Sequence, residues 1–76
     1  MLSYNIDKHA NKKAFENTCT LIESKFKDIK KEKLLEDVDG TQIQIYDTPG
    51  GKIKIFNDYE VDAVYVDSDV DLKTII

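Results

Sequence analysis

Polar and apolar side chains alternate from Thr41 to Thr48 (Thr-Gln-Ile-Gln-Ile-Tyr-Asp-Thr) and again from Gly51 to Phe56 (Gly-Lys-Ile-Lys-Ile-Phe). A period of two carried by branched residues predicts two β-strands. Between them Pro49 fixes φ, and Gly50 or Gly51 can take the positive φ of a tight reversal, so the stretch reads as a hairpin. Opposed residues share a face, and a slip of one position would turn a whole strand over. Pairing Ile45 with Ile53 and Ile43 with Ile55 gathers four isoleucines on a core face. Gln42, Gln44 and Tyr46 then lie outside, opposite Phe56, Lys54 and Lys52.

The alternation returns between Val61 and Leu72, which predicts a third strand with Val64, Val66, Val70 and Leu72 turned inward. Setting Val64 against Ile55 and Val66 against Ile53 brings Phe56 beside Ala63, Lys54 beside Tyr65 and Lys52 beside Asp67 on the outer face. One apolar and one polar face are what an antiparallel sheet with a single covered side requires.

Upstream the period changes to that of a helix. Phe15, Cys19, Ile22, Phe26 and Ile29 form one stripe, flanked by Ala14 and Leu21, and predict a helix over residues 8–33. Asn5 or Asp7 can cap its start. Lys25, Lys27, Lys30, Lys31 and Lys33 gather near its end, as suits the helix dipole and a solvated helix terminus. Leu34 and Leu35 then close the core, and Glu36–Gly40 and Asn57–Glu60 are turns. Leu2, Tyr4 and Ile6 alternate with polar residues, as in a short edge strand or a lead-in packed on the helix, and the strand is favoured. The expected fold is α+β: one long N-terminal helix packed on one face of a three-stranded antiparallel meander sheet, with residues 2–6 as a candidate N-terminal strand. Residues 1–76 make a single domain.

Size bounds this picture. A chain of 76 residues buries only about 60% of the surface it exposes when unfolded, so its stability is modest. A single cysteine excludes an internal disulfide, and nothing in cysteine usage argues for secretion. The N-terminal residues lack the basic start and apolar core of a signal peptide. No apolar run approaches the ~20 residues of a membrane span. A cytoplasmic protein is the expectation.

Charge adds an asymmetry. Residues 1–33 hold eight lysines and five acids, whereas residues 34–76 hold three lysines and ten acids. No arginine is present, so the bidentate fork that reads phosphates and base edges is missing. Direct nucleic-acid binding is disfavoured, and the lysine-rich segment from Lys25 to Lys33 is its one candidate footing. An acidic half suits a basic partner better.

Candidate chemistry is sparse. Asp67-Ser-Asp-Val-Asp71 resembles the start of an EF-hand loop, but the sixth position is Leu72 and no twelfth exists. On a strand these carboxylates would project from one face at ~6.8 Å intervals, too far apart for one ion. His9 and Cys19 are ten residues apart, about 15 Å along a helix and on different faces, so they form no nucleophilic pair. Cys19 reads as core and His9 as exposed. No phosphate loop and no GxSxG occur, so no catalytic residue, metal site or cofactor is nominated, and the protein is not expected to be an enzyme.

What remains is the outer face. Its nominated partner-binding residues are Tyr46, Phe56, Asp58, Glu60, Asp62, Tyr65, Asp67, Asp69 and Asp71. Exposed aromatics rimmed by charge suit a docking surface. The expected function is that of a small acidic protein-binding module, an inhibitor of the immunity or anti-defence type. It would dock carboxylates on the basic, nucleic-acid-binding site of a partner such as a nuclease. Immunity, anti-restriction and anti-CRISPR proteins of bacteria and phages are similar in size and charge, a likeness of class without a motif. The alternative is a structural protein that self-associates through the open sheet face, so monomer and homodimer both stay open.

Overall fold

The computed structural model describes residues 2–76. In chain order the elements are β1 (Leu2–Asp7), α1 (Lys12–Lys25), β2 (Lys30–Lys31), β3 (Leu35–Glu36), β4 (Gln42–Thr48), β5 (Gly51–Asp58) and β6 (Ala63–Ser68). All six strands join one antiparallel sheet in the order β1-β6-β5-β4-β2, with β3 also paired to β4. The fold is thus mostly β, with one short helix across a six-stranded sheet. This corrects the expected long helix on a three-stranded meander.

The helix is shorter at both ends than its apolar stripe suggests. Asn11, not Asn5 or Asp7, is the N-cap: its side chain accepts a bond from the Ala14 amide at 2.7 Å. Asp7 instead accepts bonds from the His9 amide and the Asn11 side chain, which fixes the lead into the cap. At the other end Phe26 is already extended (φ −113°, ψ 124°). Phe26 and Ile29 still pack against the core, but from extended chain. The open edge of β4 offers backbone partners that another helical turn would forgo. A helix through residues 27–33 would also stack four lysines within two turns. As an edge, those lysines shield the sheet from a foreign strand.

That edge is broken in the middle. Lys30 and Lys31 pair with Asp47 and Tyr46, and Leu35 and Glu36 pair with Ile43 and Gln42. Three residues, Glu32–Leu34, therefore face two of β4, as in a β-bulge. The kink throws Leu34 and Leu35 outward, 37% and 50% exposed, so they do not close the core.

Two registers decide which side chains face the helix. Thr48 lies opposite Gly51, so the β4–β5 loop has only two residues and Tyr46 pairs with Ile53 and Gln44 with Ile55. The expected pairing of Ile45 with Ile53 is off by one, and β4 is turned over. Tyr46 and Gln44 are buried, while Ile43 and Ile45 lie on the far face, half-buried. Polar groups at hand make this possible: the Tyr46 hydroxyl donates to Glu23, and Gln44 Nε2 donates to the Glu32 carbonyl at 2.6 Å. In β5–β6, Ile55 pairs with Val66 and Ile53 with Ser68, a shift of two from expectation. An even shift preserves parity, so Val64 and Val66 still point to the core. β6 ends at Ser68, well short of Leu72.

The core holds Phe15, Cys19 and Ile22 from α1, Tyr46, Ile53, Ile55, Val64 and Val66 from the sheet, and Leu72 from the C-terminal turn. Each large aliphatic side chain buried here contributes about 1.5–3 kcal/mol. Leu72 is held over the sheet by its amide, which donates to the Tyr4 hydroxyl at 2.9 Å.

Candidate functional site

The sheet has one covered face and one bare one. On the bare face a straight row crosses the strands: Leu35, Ile43, Phe56, Tyr65 and Asn5. The next row toward the hairpin is Ile45, Lys54, Asp67 and Ser3. Phe56 and Tyr65 stack with ring centroids 4.7 Å apart and an 11° tilt. Tyr65 also donates its hydroxyl to Asp58 at 3.2 Å. Burial raises the Tyr65 pKa first, and the Asp58 charge adds to it, so the hydroxyl stays protonated. Turning β4 over makes this face more apolar than expected, because Ile43 and Ile45 replace Gln44 and Tyr46.

The two ends of the sheet differ more than its faces. Opposite the 48–51 hairpin lie the β3–β4 and β5–β6 loops, which sheet pairing brings to one end. They touch: the Tyr59 amide donates to Thr41 Oγ1 at 3.1 Å, and a Cβ on Gly40 would sit 3.6 Å from the Tyr59 ring. Together they carry Glu36, Asp37, Asp39, Asp58, Glu60 and Asp62 and not one lysine. Val38, Tyr59 and Val61 stand out among them, 104%, 45% and 63% exposed. Short local bonds shape both loops. Asp39 accepts from the Thr41 amide, and Asp58 accepts from the amides of Glu60 and Val61.

Asp62 ties this end to the helix entrance. It occupies the left-handed region (φ 56°), which Asp tolerates better than most residues. Its carboxylate accepts from the Ala10 amide and lies 2.9 Å from His9 Nδ1. The bond from His9 and that from the Ala10 amide hold the Asp62 carboxyl below its ordinary range, and Asp62 in turn raises the His9 pKa. The amide and side chain of Thr41 likewise keep the Asp39 carboxyl low.

Comparison with family models, curated proteins and solved structures returns no match.

The nominated residues separate into three groups. Asp58, Glu60 and Asp62 sit on the acidic end. Phe56, Tyr65 and Asp67 sit on the bare face, where Asp67 accepts a bond from Ser3 Oγ at 2.7 Å. The other three lie elsewhere. Tyr46 is fully buried under the helix because of the one-residue slip. Asp69 and Asp71 lie beyond the end of β6, so no row of three carboxylates forms. Asp69 accepts from the Lys52 amide at 3.0 Å, and Asp71 accepts from the Tyr4 hydroxyl at 3.1 Å. Glu36, Asp37 and Asp39 were readable from sequence only as a turn. The available signal was three acids in four residues next to a strand whose partner ends at Asp58.

Elsewhere the chemistry is quiet. Among the described residues no group of three or more His, Cys, Asp or Glu side chains is placed to hold a metal ion. His9 and Cys19 do not meet; burial raises the Cys19 thiol pKa and keeps it protonated. A shallow groove beside Cys19, lined by Phe15, Glu23, Lys31 and Gln44, is crossed by the Lys31–Glu23 ion pair at 3.1 Å. Among the described residues no helix is long and apolar enough to cross a membrane.

Proposed function

We propose that this protein is a non-catalytic binding module that docks the acidic end of its sheet on a basic surface of a partner protein. The observation that carries the reading is the meeting of two loops with six carboxylates, no lysine and three exposed apolar side chains. Carboxylates in that number steer association toward a cationic surface and fix its orientation. Val38, Tyr59 and Val61 supply apolar contact that charge alone does not, and tyrosine is favoured at the centre of interfaces. A basic surface of this kind on a nuclease or other nucleic-acid-binding protein holds phosphates. A module that covers it acts as an inhibitor of the immunity or anti-defence type in the cytoplasm, without touching nucleic acid itself.

The test is affinity capture from a bacterial lysate by the wild-type protein and by the Asp37→Lys/Asp39→Lys/Glu60→Lys variant. None of these three carboxylates takes part in an ion pair among the described residues, and the bonds lost at Asp37 and Asp39 are local ones from the Val38 and Thr41 amides, so the variant should fold. The wild type is expected to retain a basic protein, with retention falling as salt rises. Capture of the same protein by the variant would remove the acidic end from consideration.

A further inference from the structure

We infer that the bare face of the sheet is the contact surface for a second copy of this chain. The two protomers are related by a two-fold axis running across the strands along the Phe56 row.

The argument starts from the outward residues of β5, which read Lys52, Lys54, Phe56 and Asp58 from hairpin end to loop end. Neither Lys54 nor Asp58 forms an ion pair among the described residues, although Lys54 lies across from Asp67 on β6. Among the described residues the Lys54 ammonium is in no ion pair, and the Asp58 carboxylate accepts only from the Tyr65 hydroxyl and two backbone amides. The contrast with Lys52 on the same strand is sharp: that ammonium is 3.1 Å from both Glu32 and Asp47.

Face-to-face packing by a two-fold axis can run along the strands or across them. An axis along β5 sets Lys54 against Lys54 and Asp58 against Asp58, and like charges facing each other are costly. An axis between β5 and β6 sets Lys54 against Asp67 but lays Ile43 and Ile45 on Asn5 and Ser3 and leaves Asp58 opposite Ala63. An axis across the strands through Phe56 exchanges the two rows on either side. Each Lys54 then meets the Asp58 of the other copy, twice over. Along the axis itself, Ile43, Phe56 and Tyr65 meet their own counterparts, as an isologous contact demands. Aligned sheets pack about 10 Å apart with strand directions within ~30°, which keeps these pairs in reach. A partner of unrelated sequence has no reason to place an acid and a base two positions either side of an aromatic centre in reverse order. A second copy does so by symmetry.

The area sets the strength. Five strands at about 4.8 Å and the three outward rows centred on Phe56 at about 6.8 Å give a face of about 500 Å² in plan. That is below the ~800 Å² per partner of a standard stable complex, so the dimer is reversible and concentration-dependent. Because the axis crosses the strands, the two acidic ends point in opposite directions, and the dimer is bivalent.

Sedimentation velocity from about 10 µM to about 1 mM, on the full chain, tests this by charge exchange. The wild type is expected to shift from monomer to dimer across that range. Lys54→Glu faces acid with acid at two places and should raise the dimer dissociation constant at least about tenfold. Lys54→Glu/Asp58→Lys should bring it back to within about threefold of wild type. Asp58 also caps a turn, so Ile43→Ser provides a second disruption that leaves that turn alone, and it too should weaken the dimer. A wild type that stays monomeric to about 1 mM overturns the inference, as does a dimer indifferent to Lys54→Glu and Ile43→Ser. Neither result bears on capture by the acidic end, whose test uses Asp37, Asp39 and Glu60.

Discussion

The hairpin end and the loop end of this sheet use the same kinds of residue to opposite effect. At the hairpin end charges are matched. Lys52 bridges Glu32 and Asp47, and Lys31 reaches Glu23, which also accepts the Tyr46 hydroxyl. These contacts join helix, edge strand and β4, so charge there serves construction. Among the described residues at the loop end, only Asp62 has an ionic partner, His9, and the other carboxylates accept bonds from nearby amides and the Tyr65 hydroxyl or face water. Charge there is spent on shaping two loops, and its field is left open. Matched charge locates architecture, and unmatched charge beside exposed apolar groups locates recognition.

The contrast can be broken most severely through its two left-handed glycines. Gly51, at the hairpin end, has φ 132°, and a Cβ there would lie 2.5 Å from Asp69 Cβ. Gly51→Ala is expected to lose about 3 kcal/mol in urea unfolding, from backbone strain and displacement of the 69–71 turn. Gly40, at the loop end, has φ 91° but meets only ordinary contact. Gly40→Ala should lose about 1 kcal/mol, and a loss equal to that of Gly51→Ala would show the two ends to be equally constrained.

Tyr46→Phe should cost about 1–2 kcal/mol, the scale of a hydrogen bond to a charged group. The Tyr46 hydroxyl holds the Glu23 carboxyl below its ordinary value of 4.5. A depressed carboxyl contributes stability above pH 4.5 that is lost as pH falls through the folded value. The variant should therefore lose less of its stability than wild type on acidification.

The triple lysine variant at the loops sharpens the comparison from the other side. Its stability in melting should fall by no more than about 1–2 kcal/mol, the loss of the local bonds from the Val38 and Thr41 amides to Asp37 and Asp39. A large loss would mean that those carboxylates hold the fold together after all.

The smallest expected effect is at His9, whose pKa is raised above 6.5 by Asp62 while Asp62 is lowered below 3.8. The histidine contribution is complete below pH 6.5 and vanishes as pH rises through the raised value. The Asp62 contribution is present above pH 3.8 and vanishes as pH falls through the lowered one. The pair is therefore intact between those limits. An NMR titration should place His9 above 6.5 in wild type and return it toward 6.5 in Asp62→Asn.

Parts of this structure could be read from the chain, and the rest failed for identifiable reasons. Ile53, Ile55, Val64 and Val66 have polar or aromatic neighbours on the other parity, so one facing dominated and the core side of β5 and β6 was legible. β4 offered two acceptable faces, Ile43 with Ile45 or Gln44 with Tyr46. The choice fell to a two-residue turn and to polar acceptors on α1 and β2–β3 that no local pattern displays. The helix end was hidden because Phe26 and Ile29 satisfy a helical stripe and also pack from extended chain. Strands two residues long leave no periodic signal. In the candidate site, Asp58 and Glu60 were legible as an acidic turn, whereas Asp62 read as the start of a strand that begins only at Ala63. Their neighbours Glu36, Asp37 and Asp39 joined them only through the pairing of β4 with β5.

The placement of β1 carries a last consequence. Leu2 lies opposite Ser68, so β1 waits for a strand that follows it by four other strands and a helix. The β4–β6 meander can zip up from neighbouring hairpins, whereas seating β1 closes a loop of more than fifty residues, an entropic toll that slows folding. Until that strand arrives, the β6 edge is an open template that a β1 from another molecule can occupy. Crowded synthesis or refolding at high concentration should therefore yield strand-exchanged species, and dilution should suppress them.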